Sequence, residues 1–306
     1  MRYAFLSLAA VFAAACNNGG SSASPTIVRV EPTVQVTAMN AVDAAQACVR
    51  AALDIQRVGY VAAKFLRTPI PEPPMMAGLG ADPAVITVTL DGPAGGTAEF
   101  SWSDHDGDLE YTSGDEYTIT LDDYGDQGVT LRGAMLIRDT RFLGVVPSPG
   151  TWIATANIEL LSLHVLVGTG DYTLNTTLPI RLENRQDFVE LFDLVLPEDL
   201  VLGDNRVLQN NRMSRYENNE MVTLVFDGAV HSTVLDGVLT FATSTVFAGF
   251  PFFANPTDGL FTVHGTGGSS MEIQPMFFQL ELRVDEDGDG EFEDTQSSSW
   301  MALLPQ

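Results

Sequence analysis

The stretch Asn40–Arg67, NAVDAAQACVRAALDIQRVGYVAAKFLR, decides the architecture, because it is the only long segment with helical periodicity. Asn40 is a residue type that caps helices, and Asp43 in the first turn favours the positive end of the helix dipole. Pro69 and Pro71 end the pattern, since proline has no backbone N–H to donate. We therefore predict one helix over this stretch.

The distribution of residues around this helix predicts that most of its circumference is buried. At 100° per residue the polar side chains fall in one narrow stripe, and apolar side chains cover the remaining face. Cys48 lies in the middle of the apolar arc, which favours a small core residue over a reactive thiol. The polar stripe consists of Asp43, Gln46, Arg50, Asp54, Arg57 and Lys64.

Beyond Pro83 the periodicity changes to the alternation that is typical of β-strands. Gly, Asp and Asn separate the candidate strands at the spacing expected for antiparallel hairpins. Phe188–Leu196 fits either a helix or a strand, and residues 199–219 favour a long loop or short irregular strands. The candidate strands are Val85–Leu90, Thr97–Trp102, Leu109–Tyr111, Tyr117–Leu121, Val129–Ile137, Trp152–Leu160, His164–Val167, Tyr172–Arg181, Val222–Phe226, Gly237–Phe241, Gly259–His264, Phe277–Val284 and Ser298–Leu303.

A dozen or more sequential strands and one mostly buried helix predict a mainly β fold, with a single domain over residues 37–306. In this fold a large curved antiparallel sheet, an open barrel or half-barrel, packs around the N-terminal helix. The alternative is a pair of β-sandwich domains that divide near residue 200, with the helix packed on one of them.

The composition excludes several classes of protein. Of 306 residues 40 are acidic and 15 are basic, which gives a formal net charge of −25. A hydrophobic content of 45% is enough for a core, so the chain as a whole is not a disordered acidic segment. Lys64 is the only lysine, and no Lys or Arg lies between Arg67 and Arg132, which argues against nucleic acid as a partner. Two cysteines cannot build a disulfide framework.

Residues 1–15 have the features of a secretory signal, with Arg2 before a short apolar run and small residues at its end. The run is shorter than the roughly 20 apolar residues that cross a bilayer. Ala13–Cys16 (AAAC) resembles the lipobox of bacterial lipoproteins, which implies that Cys16 is acylated; the alternative is ordinary signal cleavage. Residues 16–36 would then hold the lipidated cysteine and a flexible tether. Asn17 after the cysteine favours an exported, outer-membrane lipoprotein that faces the periplasm or the surface.

The strongest candidate site is the acidic stretch Asp285–Glu293, DEDGDGEFE, between two predicted strands. Alternate aspartates followed by Gly290 place three carboxylates around one point, as in the first half of an EF-hand loop. The stretch departs from that loop at Gln296, where a bidentate Glu would stand, and in its flanking strands. We predict a calcium-binding β-hairpin, with a solvated acidic turn as the alternative. The expected ligands are Asp285, Asp287, Asp289, Glu291 through its backbone carbonyl, and Glu293.

A second, weaker candidate lies in the stretch 104–110, DHDGDLE. It also alternates aspartates, but its glycine stands between the second and third of them and the loop is short. His105 could add a nitrogen ligand, and a solvated turn is again the alternative. The carboxylate ligands would be Asp104, Asp106, Asp108 and Glu110.

Sequence motifs of catalytic sites are absent. There is no Gly-x-Ser-x-Gly, no His-Glu-x-x-His, no phosphate-binding glycine loop and no paired-cysteine metal motif. His164, His231 and His264 lie on or beside predicted strands, where a structural imidazole is expected. We therefore predict that the chain is not an enzyme.

Two C-terminal segments carry a resemblance. Pro256–Gly265 (PTDGLFTVHG) and the Asp285–Gly290 turn followed by Trp300 resemble, together with the lipobox, uncharacterised bacterial lipoproteins with a β-rich body. In those proteins a D-x-D-G-D-G hairpin and a following tryptophan strand close the C-terminal region. The resemblance implies location and architecture, and it implies no activity.

Two functions from different classes are consistent with these features. The first is a non-catalytic envelope lipoprotein with a structural or binding role toward an envelope protein, stabilised by calcium at acidic hairpin loops. The second is a carrier of an apolar ligand or lipid in a cavity of the sheet, with contacts from the aromatic-rich stretch 247–253. The concave side of the sheet distinguishes them, since a helix that fills it leaves no cavity for a lipid.

Overall fold

The computed structural model describes residues 30–67, 86–103, 113–144, 150–168, 170–185, 189–218, 220–250, 255–276 and 279–304. Helix α1 spans Ala41–Lys64 and continues as a 3-10 turn over Phe65–Arg67. A second helix of one turn, α2, spans Trp300–Leu303. The helix predicted over residues 40–67 is confirmed.

The described residues form sixteen strands, and all of them belong to one antiparallel sheet. Along the sheet the order is β1 to β7 and then β10 to β16, so neighbours in the chain are neighbours in the sheet. The hairpin of β8 and β9 joins through β11. The strands are β1 (Ile86–Asp91), β2 (Thr97–Ser103), β3 (Glu116–Asp126), β4 (Val129–Leu143), β5 (Trp152–Val167), β6 (Gly170–Arg185), β7 (Val189–Val195), β8 (Leu200–Leu202), β9 (Asn205–Val207), β10 (Arg212–Glu217), β11 (Val222–Ser232), β12 (Gly237–Gly249), β13 (Asp258–His264), β14 (Ser270–Met276), β15 (Gln279–Asp285) and β16 (Asp294–Ser299).

The sheet is open, because pairing among the described strands runs from β1 at one edge to β16 at the other. This confirms the predicted class, a mainly β fold with a large open antiparallel sheet around an N-terminal helix. Two β-sandwich domains are not found, since β7 pairs with β10 across the region near residue 200 and the sheet continues through it. The ambiguous stretch 188–196 contains the strand β7.

Bulges bend the long strands of the first half of the sheet. A bulge adds one residue to a strand and increases its local twist, which helps a sheet to curl. Asp123, Asp139 and Ser162 lie in these bulges and have φ values of 52°, 53° and 51°. The register shifts fall between Leu121 and Tyr124, between Arg138 and Arg141, and between Leu160 and Leu163.

Helix α1 fills the concave side of the sheet and packs against strands from β5 to β15. The four consecutive residues Leu53–Gln56 are each at most 2% exposed. Because successive helical residues point about 100° apart, these four cover every direction around the axis. Burial is more complete than the apolar arc predicts, since Asp54 of the polar stripe is buried as well.

Aromatic side chains attach α1 to the sheet near its C-terminal end. Phe65 packs against Phe100 of β2, with ring centroids 5.2 Å apart, and Tyr60 packs against Phe192 of β7 at 5.8 Å. Edge-on pairs of this kind add to the free energy gained from burial alone. The end of α1 packs on the middle of the sheet, and the 3-10 turn that follows it packs on the first strands.

The residues that precede α1 are part of the folded body. The backbone N–H of Thr33 donates to the Val238 carbonyl at 2.9 Å, and the Val34 carbonyl accepts from the Thr266 N–H at 2.7 Å. Val34 is 8% exposed and Val36 is fully buried. The predicted tether extends to residue 36, whereas the structure packs its last residues against β12 and the turn before β14.

Candidate metal centre

The acidic stretch connects β15 to β16 as the turn of a hairpin. The last paired residues are Val284 and Asp294, and Asp285 is paired on its other side with Ser270 of β14. Asp285 is 5% exposed, because it lies at the end of a strand inside the sheet. The first carboxylate of the stretch is therefore held by a rigid element, and the loop brings the others to it.

Four carboxylates converge in this loop. One oxygen each from Asp285, Asp287, Asp289 and Glu293 lies within 4.8 Å of the corresponding oxygens of the other three. Four like charges at this separation repel one another, and a divalent cation bound among them would replace that repulsion with attraction. The group can hold a metal ion, and its all-oxygen donors suit a hard cation.

Backbone N–H groups of the loop orient these carboxylates. Asp285 accepts from the Gly288 N–H at 2.7 Å and from the Gly290 N–H at 3.0 Å. Asp287 accepts from the Asp289 N–H at 3.2 Å. Asp289 accepts from the N–H of Glu291 at 2.7 Å. The ligand predicted at Glu291 is its backbone carbonyl oxygen, and that part of the expected ligand set stays a prediction.

Two glycines permit the tight course of the loop. Gly290 has φ +91°, in the left-handed region that disfavours other residues, as the predicted sharp turn requires. Gly288 has φ +78°, and a Cβ atom there would lie 2.9 Å from backbone atoms of Gly268. The loop thus packs directly on the 3-10 turn Thr266–Gly268 between β13 and β14.

The loop also binds the segment that precedes α1. Glu286 accepts from the Ala38 N–H at 2.7 Å through its carboxylate and from Gln35 Nε2 at 3.0 Å through its carbonyl. Gln296 Nε2 donates to the Ala38 carbonyl at 2.7 Å. The Glu286 N–H donates in turn to Glu293 Oε2 at 2.6 Å. The candidate ligand Glu293 is therefore hydrogen-bonded to Glu286, the residue that binds the segment before α1. Sequence periodicity carries no signal for these contacts, because the residues are about 250 positions apart.

Trp300 lies in α2 and not in the predicted strand Ser298–Leu303. The strand β16 ends at Ser299, whose Oγ accepts from the Ala302 N–H at 3.2 Å and caps the helical turn. Trp300 is 6% exposed and packs edge-on against Phe247 at 6.2 Å. The helical turn brings the indole ring onto the core beside α1, which a continued strand would not do.

The other predicted site residues are placed as follows. Cys16, with the signal and lipobox, and the second acidic candidate, Asp104, Asp106, Asp108 and Glu110, lie outside the described residues. Cys48 is fully buried in α1, and burial raises the pKa of its thiol, as expected for a core residue.

Charged side chains of α1 meet partners inside the fold. Tyr60 Oη lies 2.6 Å from Glu190 Oε1 and 2.9 Å from Glu217 Oε2. Lys64 pairs with Asp126 at 2.6 Å, and Arg67 pairs with Glu190. Burial raises the pKa of Tyr60, and the two neighbouring carboxylates reinforce that shift, so the hydroxyl remains protonated and donates.

A buried carboxyl group lies in the middle of α1. Asp54 accepts from Tyr172 Oη at 3.0 Å, and its other oxygen lies 4.0 Å from an Arg57 nitrogen. Burial raises the pKa of Asp54 to about 6, although the charge of Arg57 and the tyrosine hydrogen bond oppose that shift. The sequence pattern placed this residue in the polar stripe and gave no sign of its burial.

Comparisons with protein-family models, with curated proteins and with solved structures found no match to this chain. In the part of the chain that the structure describes, no helix has both the length and the apolar character that a membrane span requires.

Proposed function

We propose that this chain is a non-catalytic envelope lipoprotein, anchored through Cys16, with a structural or binding role and with Ca²⁺ at its C-terminal acidic hairpin. The observation that carries the calcium assignment is the convergence of four carboxylate oxygens within 4.8 Å. Calcium prefers several oxygen ligands in an adaptable arrangement, and alternate aspartates before a glycine supply them from one short loop.

The position of the hairpin supports a stabilising role for the ion. The loop lies where β15, β16 and the segment before α1 meet, because Glu286 holds Ala38 and Gln35. A cation that orders the loop would strengthen all three elements together. Binding energy at a site that exists only in the folded state adds to the free energy of unfolding.

The concave side of the sheet favours this role over that of a lipid carrier. Helix α1 occupies the position that a bound acyl chain would need, and its middle is covered on every side. In this proposal the acyl group on Cys16 attaches the protein to the membrane, and no lipid is bound inside the sheet.

Thermal unfolding with and without calcium tests the ion assignment. We expect excess Ca²⁺ to raise the Tm of the chelator-treated protein by several degrees, because ligand binding to the folded state alone stabilises it. The variant Asp287→Asn with Asp289→Asn should lose this shift. The matched control, Glu99→Gln with Asp122→Asn on β2 and β3, removes the same two charges at exposed positions and should keep it. Coincident melting curves of the unaltered protein would refute calcium binding.

Metabolic labelling tests the anchor. We expect a palmitate analogue to label the protein in a bacterial host and to leave the Cys16→Ser variant unlabelled and free of the membrane fraction. A Cys16→Ser protein that stays in the membrane fraction would refute the anchor, and the melting experiment is unaffected by that outcome.

A further inference from the structure

A cleft of about 260 Å³ opens between α1 and the strands β10 to β12, away from the acidic hairpin. Two arginines, an asparagine and two glutamines supply its polar wall, and glycines and apolar residues supply the rest. Its lining residues include Gln56, Arg57, Arg215, Leu224, Phe247 and Asn255. We refer to these six residues as the arginine cleft.

Gln56 is a lining residue of the arginine cleft and carries an unused hydrogen-bond donor. Its side chain is 2% exposed, and its Nε2 atom has no hydrogen-bond partner among the described residues. A buried amide N–H that has left water without a replacement partner is costly, and nearly all such groups in folded proteins are satisfied. A bound molecule with an acceptor atom would satisfy it.

Two guanidinium groups border the same space, and neighbouring side chains fix their positions. Arg57 donates to Asn255 Oδ1 at 3.0 Å. Arg215 donates to Glu217 Oε2 at 2.7 Å, and its guanidinium lies 4.2 Å from the centre of the Tyr60 ring. These contacts hold the two groups in place at the cleft, so little side-chain freedom is lost when a ligand binds.

The charge at the cleft is positive in a chain that is strongly acidic overall. The side chains of Arg57 and Arg215 are 12% and 8% exposed. Burial lowers the pKa of Arg57; the negative charge of Asp54 opposes that shift, and the positive charge of Arg215 adds to it. Asp54 and Glu217 already pair with these two cations, and an anion bound between the guanidinium groups would reduce their mutual repulsion further.

We propose that the arginine cleft binds a small carboxylate-bearing molecule. The carboxylate would accept from Gln56 Nε2 and lie between Arg57 and Arg215, since guanidinium groups match the planar geometry of a carboxylate. The apolar part of the ligand would contact Leu224 and Phe247. The volume lies slightly below the usual range for ligand pockets, so the ligand is compact and is not a long-chain lipid.

Calorimetric titration with benzoate tests this site, with benzamide as its neutral isostere. We expect benzoate to bind, and benzamide and inorganic phosphate to bind at least about tenfold more weakly, which corresponds to about 1.4 kcal/mol or more. The Gln56→Leu and Arg57→Gln variants should each weaken benzoate binding about tenfold or more. Arg138→Gln, which removes an exposed arginine from β4, is the matched control and should bind benzoate unchanged.

Several outcomes would overturn the proposal. The first is the absence of heat from benzoate at about 10 mM, a concentration that populates a specific site of even weak affinity. The others are binding of benzamide or of phosphate that is as tight as the binding of benzoate. Normal benzoate affinity in a folded Gln56→Leu variant would also overturn it. Because this variant keeps both arginines and the approximate side-chain volume, it decides the question even if Arg57→Gln does not fold.

Discussion

At the scale of single residues, polar groups inside the sheet set the chemistry of this protein. Asp54, Gln56 and Arg57 occupy one turn of α1, and all three are buried or nearly so. The sequence shows that Asp54 and Arg57 share a polar stripe, but it does not show what covers the stripe. Burial of these residues depends on strands that are 100 or more positions away, so local periodicity could not predict it.

The carboxyl group of Asp54 makes stability depend on pH. Its pKa is about 6 in the folded protein and 3.8 in the unfolded chain. Because the folded state holds this proton more tightly, the contribution of the group is fully present below pH 3.8 and is lost as the pH rises through about 6. Asparagine resembles the protonated acid and does not titrate. When the pH rises from 4 to 7.5, the free energy of unfolding of Asp54→Asn should therefore increase by about 2 kcal/mol relative to that of the unaltered protein.

Urea unfolding of both proteins at these two pH values checks that gain. Asp122→Asn, a substitution at an exposed position, serves as the control, and its free energy of unfolding should equal that of the unaltered protein at both pH values. An equal difference between Asp54→Asn and the unaltered protein at pH 4 and pH 7.5 would show that Asp54 titrates normally.

At the scale of secondary-structure elements, the helix was the most predictable part and the C-terminal end the least. Twenty-eight residues of consistent periodicity predict α1 to within a few positions of its observed bounds. The four residues of α2 are too few to show a period, and alternation in Ser298–Leu303 favoured a strand there. Asn40 was expected to cap α1, yet its side chain bonds the Thr37 N–H and the Gln35 carbonyl instead.

The acidic hairpin could be predicted in part. Its carboxylate spacing and the turn at Gly290 could be predicted, because both arise from neighbours in sequence. Its packing on Gly268 and its hydrogen bonds to Ala38 could not, because they arise from tertiary structure.

Close packing between α1 and β7 predicts a specific sensitivity at Gly59. A Cβ atom at this position would lie 3.0 Å from Leu194 Cδ2 and 3.1 Å from Phe192 Cζ. A leucine side chain there would overfill the interface, so Gly59→Leu should lower the free energy of unfolding by about 1 to 3 kcal/mol despite its better helix propensity.

Equilibrium unfolding in urea measures this loss. Gln46→Leu, at a half-buried position of the same helix, introduces the same side chain without those two contacts and should cost less. Equal or greater stability of Gly59→Leu would show that α1 and β7 are not closely packed at this point.

At the scale of the whole molecule, one sheet carries every described strand and one helix fills its concave side. The class of fold could be predicted, since many sequential strands and one mostly apolar helix leave few ways to bury their surfaces. Three features could not be predicted, because they depend on the register of the strands. These are the bulges, the joining of β8 and β9 through β11, and the packing of Thr33–Val36. The segment before α1 is joined to β12, to the turn before β14 and to the acidic loop, so the start and the end of the folded body meet.

Hydrogen–deuterium exchange with and without Ca²⁺ tests most directly the claim that the acidic hairpin binds calcium and stabilises the elements around it. We expect saturating calcium to slow amide exchange both in residues 285–293 and in residues 33–38, because Glu286 joins the two segments. Exchange in the middle of α1 should be unchanged, and Asp287→Asn with Asp289→Asn should abolish both effects. Identical exchange in both segments with and without calcium would contradict the claim.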